Sequence, residues 1–202
     1  MVMENKNVIV ISTSLRKGGN SDLLADAFVK GAMEKGNHVE KISLVSQDIH
    51  FCKGCLVCQK GTECIIKDDA NEIIHKIKDA DVIVFATPVY FYEMSGQMKT
   101  LLDRTNPLFI DDYHFRDVYL LATCADENEK SIDNLIHGLY GWIDCFEHSS
   151  LRGVIKGVGI DQYGDVNNHH DILEQAYEMG KNIENRGNPW RGKKIIVELN
   201  ES

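Results

Sequence analysis

Four of the six cysteines fall between positions 52 and 64, spaced C-x2-C-x2-C-x5-C as Cys52, Cys55, Cys58 and Cys64. Four thiolates this close in sequence can converge on one centre. The compact spacing suits a [4Fe-4S] cluster better than the separated C-x2-C pairs of a structural zinc site. Free thiols, a zinc ion or a disulfide are the other readings left open. The clustering is too tight for the disulfide framework of a small secreted domain. Cys124 and Cys145 fall on a predicted strand end and helix and read as small buried residues.

Two further stretches carry binding chemistry. The first, Ser12-Thr13-Ser14-Leu15-Arg16-Lys17-Gly18-Gly19-Asn20-Ser21, lies between an apolar β-branched run and a helical pattern. Hydroxyls, glycines and two cations meet there at a helix N-terminus. Outward N–H groups and the positive end of the macrodipole make such a loop a natural phosphate site. The same residues also suit a solvated turn in which Asn20 or Ser21 merely caps the helix. The second stretch, Thr87-Pro88-Val89-Tyr90-Phe91-Tyr92-Glu93-Met94-Ser95, again joins an apolar run to a helix. Three loop aromatics beside a stiffening proline offer stacking area to a planar heterocycle, or equally to a neighbouring helix or a second copy of the chain.

Other chemistries find little support. Neither the Walker glycine-lysine pattern nor the dinucleotide glycine fingerprint occurs. The eight histidines form no metal spacing, and His137, His148 and His169-His170 read as helix surface. Asp68-Asp69 and Asp111-Asp112 are sequence neighbours, so they mark a helix start and a solvated turn rather than facing acid-base pairs. The formal net charge of -9, without a basic patch, speaks against nucleic acid as a partner. No apolar run approaches the roughly 20 residues that span a bilayer, and the chain reads as a cytoplasmic protein without a membrane partner.

The elements that must position these loops follow a βα period. Val8–Ile11, Val39–Leu44, Val82–Ala86, Val118–Thr123 and Val154–Ile160 are five strand candidates, each a short apolar run. Helical spacing follows each strand: Leu23, Leu24, Ala27, Phe28; Ile73, Ile74, Ile77; Met98, Leu101, Leu102; Ile132 to Phe146; and Ile172 to Ile183. Right-handed crossovers then predict a doubly wound parallel sheet covered on both faces, with its working crevice beyond the strand C-termini. One domain is expected over residues 1–187. A tail at 188–202, carrying Trp190, Arg191 and the strand-like Ile195–Leu199, serves as an edge strand or as an arm onto a partner.

The loop ending Arg16-Lys17-Gly18-Gly19-Asn20-Ser21, the Thr87-Pro88-Val89-Tyr90 loop, and Gln97-Met98-Lys99 followed by Leu102-Asp103-Arg104 resemble the NADPH-dependent FMN reductases and iron-sulfur flavoproteins of the flavodoxin-like superfamily. The resemblance runs to about Ile183. It implies a flavodoxin-like five-stranded parallel sheet in the order 2-1-3-4-5, and FMN held by the first and third loops. Carried over residue by residue, the phosphate falls to Ser14, Arg16, Asn20 and Ser21. The isoalloxazine falls to Pro88, Val89, Tyr90 and Phe91, with Thr123 beside the ring or ribityl chain. Thr13 and Leu15 depart from the family, which usually has Gly and Pro there. The four-cysteine spacing matches the cluster loop of the iron-sulfur flavoproteins. The resemblance further implies a homodimer or higher oligomer and an oxidoreductase that passes electrons from NAD(P)H to a small acceptor: a flavin, quinone, nitro compound or metal. A non-catalytic FMN electron carrier and a cofactor-free module on the same fold are the competing classes. No catalytic side chain is nominated, because a flavin brings its own hydride chemistry.

Overall fold

A computed structural model describes residues 5–61 and 63–183, and the tail from Asn188 lies outside them. The elements in chain order are β1 (Asn7–Ser12), α1 (Asn20–Glu34), β2 (His38–Ser43), α2 (Ala70–Asp79), β3 (Val82–Tyr90), β4 (Glu93–Met94), α3 (Gly96–Arg104), β5 (Asp117–Thr123), α4 (Asp133–Ile143), β6 (Ser150–Gly157) and α5 (His170–Lys181).

The strands are apolar on both faces because both faces are covered. Ile9, Ile11, Ile83, Phe85, Val118 and Leu120 point into one core with α2, α3 and α4. Their neighbours Val8, Val10, Val82, Val84, Tyr119 and Leu121 point into the other, under α1 and α5. Each strand thus splits its side chains between two layers at period two, as a doubly wound sheet requires. Strand order is β2-β1-β3-β5-β6, all parallel, which is the expected 2-1-3-4-5 arrangement once the short β4 is set aside. On the second layer α1 and α5 pack backbone to backbone. A Cβ on Gly31 would lie 2.0 Å from the Tyr177 carbonyl oxygen, and one on Gly180 2.1 Å from that of Phe28.

Three expectations need correcting. The last parallel strand runs over Ser150–Gly157, not Val154–Ile160. Its polar beginning is held by an ion pair from Arg152 Nε to Asp117 at 2.6 Å and by a bulge between Val118 and Tyr119, while Ile160 has already turned back to bond Cys124 O. Cys145 is exposed rather than buried, in the turn after α4, where its thiol donates to Gly141 O. β4 was not expected at all: it pairs antiparallel with β3 and folds the aromatic loop into a hairpin.

Candidate functional site

The C-terminal ends of β1, β3 and β5 lie side by side, with Ser12 opposite Ala86 and Pro88 opposite Thr123. The two loops singled out in the sequence rise from this edge. α1 starts at Asn20 with Gly19 as its N-cap residue and no side-chain cap, so its first-turn N–H groups are open to an anion. Ser14 and Ser21 are buried at this end, and Arg16 stands exposed beside them. The loop closes tightly on itself: Arg16 N donates to Ser14 Oγ (3.1 Å), and Gly19 N to Arg16 O (2.9 Å). Asp22 sits beneath it. Burial pushes its carboxyl upward, but Lys41, the Ser12 hydroxyl and the Gly18 N–H together hold it below its ordinary value.

Asn20 turns its side chain elsewhere. Its Nδ2 donates to Gln162 O (2.8 Å) and its Oδ1 accepts from Val166 N (3.2 Å), stapling the β6–α5 loop over the first loop. Tyr163 lies in that strap and donates to Lys17 O at 2.7 Å. Its hydroxyl would be 2.8 Å from a Cβ at residue 18, and Gly18 also has φ +69°. Both facts favour glycine there. Nothing in the sequence marked Tyr163, because it meets Lys17 across 146 residues.

In the third loop, Val89 pairs with Met94 and Tyr90 with Glu93, leaving Phe91 and Tyr92 as a two-residue turn. Both have positive φ, 50° and 65°. This is the pattern of a type I′ hairpin turn, which normally recruits Asn and Gly. Left-handed backbone costs a bulky residue roughly 1–2 kcal/mol, so the turn stores strain to present aromatics. Phe91 is 98% exposed, and Tyr90 and Tyr92 are about half exposed. The loop's base is rigid: Ser95 caps α3 by accepting from Met98 N, its own N–H donates to Thr87 Oγ1, and its hydroxyl meets Thr13 Oγ1 at 2.9 Å. Thr13 therefore ties the first loop to the third. Its φ is not positive, so its backbone does not require the family's glycine. The open helix end, the flanking hydroxyls and the aromatic hairpin fit an FMN lying across the strand ends.

The cysteine loop forms a second centre, at the other end of α3. Cys52, Cys55, Cys58 and Cys64 all line one small cavity, together with Arg104 and Asn106. Among the described residues, no three His, Cys, Asp or Glu side chains are drawn into a formed metal-binding arrangement. N–H donors nevertheless reach two of the sulfurs. Gly54 N donates to Cys52 Sγ (3.4 Å), Asn106 Nδ2 to Cys52 Sγ (3.7 Å) and Arg104 Nη2 to Cys64 Sγ (3.4 Å). Burial pushes the Cys58 thiol up, and the neighbouring cysteines push it the same way.

Arg104 is 1% exposed and forks onto Asp68 at 2.6 and 2.9 Å, while its Nη atoms also donate to His50 O and Ile66 O. Burial alone would raise the Asp68 carboxyl. The Arg104 fork and the N–H groups of His50 and Ala70 outweigh it and bring it down to about 2. Asp68 is thus the buried anchor of this loop rather than only a helix-start residue. The Nε–H of Arg104 is buried and has no acceptor. An anionic iron-bound sulfur would provide one, so the donor set fits a thiolate-held cluster.

The model of the NADPH-dependent FMN reductase family matches residues 6–140. An iron-sulfur flavoprotein of Methanocaldococcus jannaschii is 36% identical over 188 residues, covering 87% of this chain and 94% of that protein. A candidate NAD(P)H-dependent FMN-containing oxidoreductase of Bacillus subtilis is 29% identical, covering 86% and 96%. Among solved structures, an NAD(P)H:quinone oxidoreductase from Methanothermobacter marburgensis has the same fold, with a TM-score of 0.71 at 17% identity over 90% of this chain and 97% of that one. No helix among the described residues is long and apolar enough to cross a membrane.

Proposed function

The chain belongs to the NADPH-dependent FMN reductase family, and from that premise we propose a division of labour among its residues. It is an FMN-dependent oxidoreductase that takes electrons from NAD(P)H and delivers them to a small acceptor. FMN, when bound, supplies the hydride and electron transfer. The chain's own residues bind and orient it. Ser14, Arg16 and Ser21, with the open N-terminus of α1 at Asn20, hold the phosphate. Pro88, Val89, Tyr90 and Phe91 wall the ring, and Thr123 stands beside the ring or ribityl chain. The observation that carries this reading is the strained hairpin, in which two bulky residues adopt left-handed backbone at the strand C-termini, where the uncapped helix α1 also begins.

The enzyme acts in the cytoplasm as a homodimer. The supporting observations are the four cysteines clustered between positions 52 and 64, a pattern that suits a reducing compartment, and the exposed aromatics at Tyr90 to Tyr92, which suit a contact between copies. Steady-state NADH and NADPH oxidation by the FMN-loaded protein, with an artificial acceptor present, tests the activity. No turnover with either nucleotide would leave a non-catalytic electron carrier in its place. Light scattering that returned a mass near 22.8 kDa would refute the dimer.

We also propose that Cys52, Cys55, Cys58 and Cys64 hold a [4Fe-4S] cluster. The iron-sulfur flavoproteins related to this chain and the acceptor-free Nε–H of Arg104 both support it. Iron and sulfide analysis after anaerobic purification should find about four irons per chain, lost in Cys55→Ser. Metal-free wild type after anaerobic reconstitution would remove the cluster from the proposal and leave the flavin chemistry standing.

A further inference from the structure

The cysteine centre is built around a buried cation. Arg104 is the last residue of α3, wholly enclosed, with four of its five N–H bonds on two nitrogens that serve Asp68, His50 O, Ile66 O and Cys64 Sγ. Enclosing an arginine is costly unless its geometry is used, and a bidentate carboxylate neutralises it here without consuming the Nε–H. That last donor remains buried and unused, on a residue that lines the same cavity as the four cysteines. A leucine or methionine of similar length would fill the space without the desolvation cost. One N–H of the guanidinium, on Nη2, reaches the Cys64 sulfur at 3.4 Å, a contact that strengthens when that sulfur carries negative charge.

We propose that Arg104 is the positioning residue of the thiol centre: it fixes Cys64 through Nη2 and offers its Nε–H as a second donor to the bound cluster. This rests on the reading that the four cysteines hold a cluster. Asp68 keeps the guanidinium neutralised and oriented, so Arg104 acts as a directed pair of hydrogen bonds rather than as a free charge. Hydrogen bonds to sulfur favour the more negative, reduced state, and Arg104 therefore raises the reduction potential of the centre. The carbonyl bonds to His50 and Ile66 clamp both ends of the cysteine loop to α3, whose first turn is capped by Ser95 at the flavin crevice.

The test compares full-length, anaerobically purified wild type with Arg104→Met, Arg104→Lys and Gly180→Ala, each loaded with FMN. Iron per chain, cooperative melting and a redox titration of the cluster's visible and electron paramagnetic signals are read for each. Arg104→Met should shift the potential of its remaining iron downward and retain less iron. Arg104→Lys, which keeps the charge and loses the fork, should fall between. Gly180→Ala, which disturbs α1 and α5 far from the cysteines, should melt earlier at an unmoved potential. Complete loss of iron from Arg104→Met, with FMN binding and cooperative melting retained, also supports the proposal. A wild-type potential in Arg104→Met overturns it. So does loss of iron, FMN and cooperative melting together in both Arg104 variants, which would make the arginine purely structural. Wild type that takes up no iron fails the cluster reading itself, and that failure is visible before any variant is compared.

Discussion

The strained hairpin makes a prediction in which stability and binding move in opposite directions. In Phe91→Asn, the new side chain tolerates the left-handed backbone that Phe91 is forced to adopt. Because Phe91 is 98% exposed, its truncation gives up almost no burial, and the transfer term that usually dominates a Phe substitution is absent. What remains is relief of strain, worth roughly 1 kcal/mol or slightly more. For a chain of this size that corresponds to a rise in Tm of roughly 2–4 °C. The flavin should lose a stacking partner worth about 0.5–1.5 kcal/mol, or about two- to tenfold in Kd. Thermal melts of the FMN-free protein read the first quantity, and quenching of FMN fluorescence on titration reads the second. A Tm that stays put or falls would refute the strain argument. An unchanged FMN Kd would refute the claim that the strain serves the cofactor, and Phe91 would leave the ring wall.

Three other outcomes follow from the same geometry. Arg16→Ala should weaken FMN binding by about ten- to a hundredfold, since a charge-assisted hydrogen bond contributes roughly 1.5–3 kcal/mol; an unchanged titration removes Arg16 from the phosphate site. Gly180→Ala should destabilise the fold by roughly 1–3 kcal/mol or more, because its Cβ would have to occupy space 2.1 Å from Phe28 O, and a urea melt matching wild type would contradict that contact. Asp68→Asn should cost roughly 3–5 kcal/mol at neutral pH by leaving Arg104 buried without its anion. The Asp68 carboxyl titrates at about 2 in the fold, below its ordinary value, so its stabilisation is complete above the unfolded pKa and disappears as pH falls through about 2. The gap between urea melts of metal-free wild type and Asp68→Asn should therefore narrow by about 2.5 kcal/mol toward pH 2, and a gap that stays constant with pH would exclude the ion pair as its source.

What could be read from the sequence was whatever repeats locally. Five apolar runs, each followed by a helical pattern, specify the parallel sheet because side chains at period two must feed two buried faces. The first and third loops were legible for a similar reason: Gly18-Gly19 before a helix, and aromatics beside Pro88, are local signals of a backbone opened toward a ligand. β4 escaped because turn chemistry pointed away from it, with Phe91-Tyr92 standing where a hairpin normally has Asn-Gly. The strand at Ser150–Gly157 was misplaced because its start is secured by an ion pair to Asp117 rather than by apolar residues.

The less legible part is the set of contacts that span the chain. Asp68 looked like an ordinary helix-start acid until Arg104, 36 residues later, closed on it, and the Asn20 amide, a phosphate candidate in the sequence, is engaged by Gln162 and Val166, 142 and 146 residues away. Such contacts are decided by which loops the sheet order brings together, so no window along the sequence contains them. α3 gives them a common frame. Nine residues of helix rise about 13 Å, and its cap at Ser95 binds Thr13 and Thr87 of the first and third loops while its last residue, Arg104, lines the cysteine cavity. Met98, Leu101 and Leu102 hold that helix in the core between the two ends. The stretch Gln97-Met98-Lys99 to Leu102-Asp103-Arg104, which reads in sequence as an amphipathic helix, is therefore the element that joins the two candidate sites.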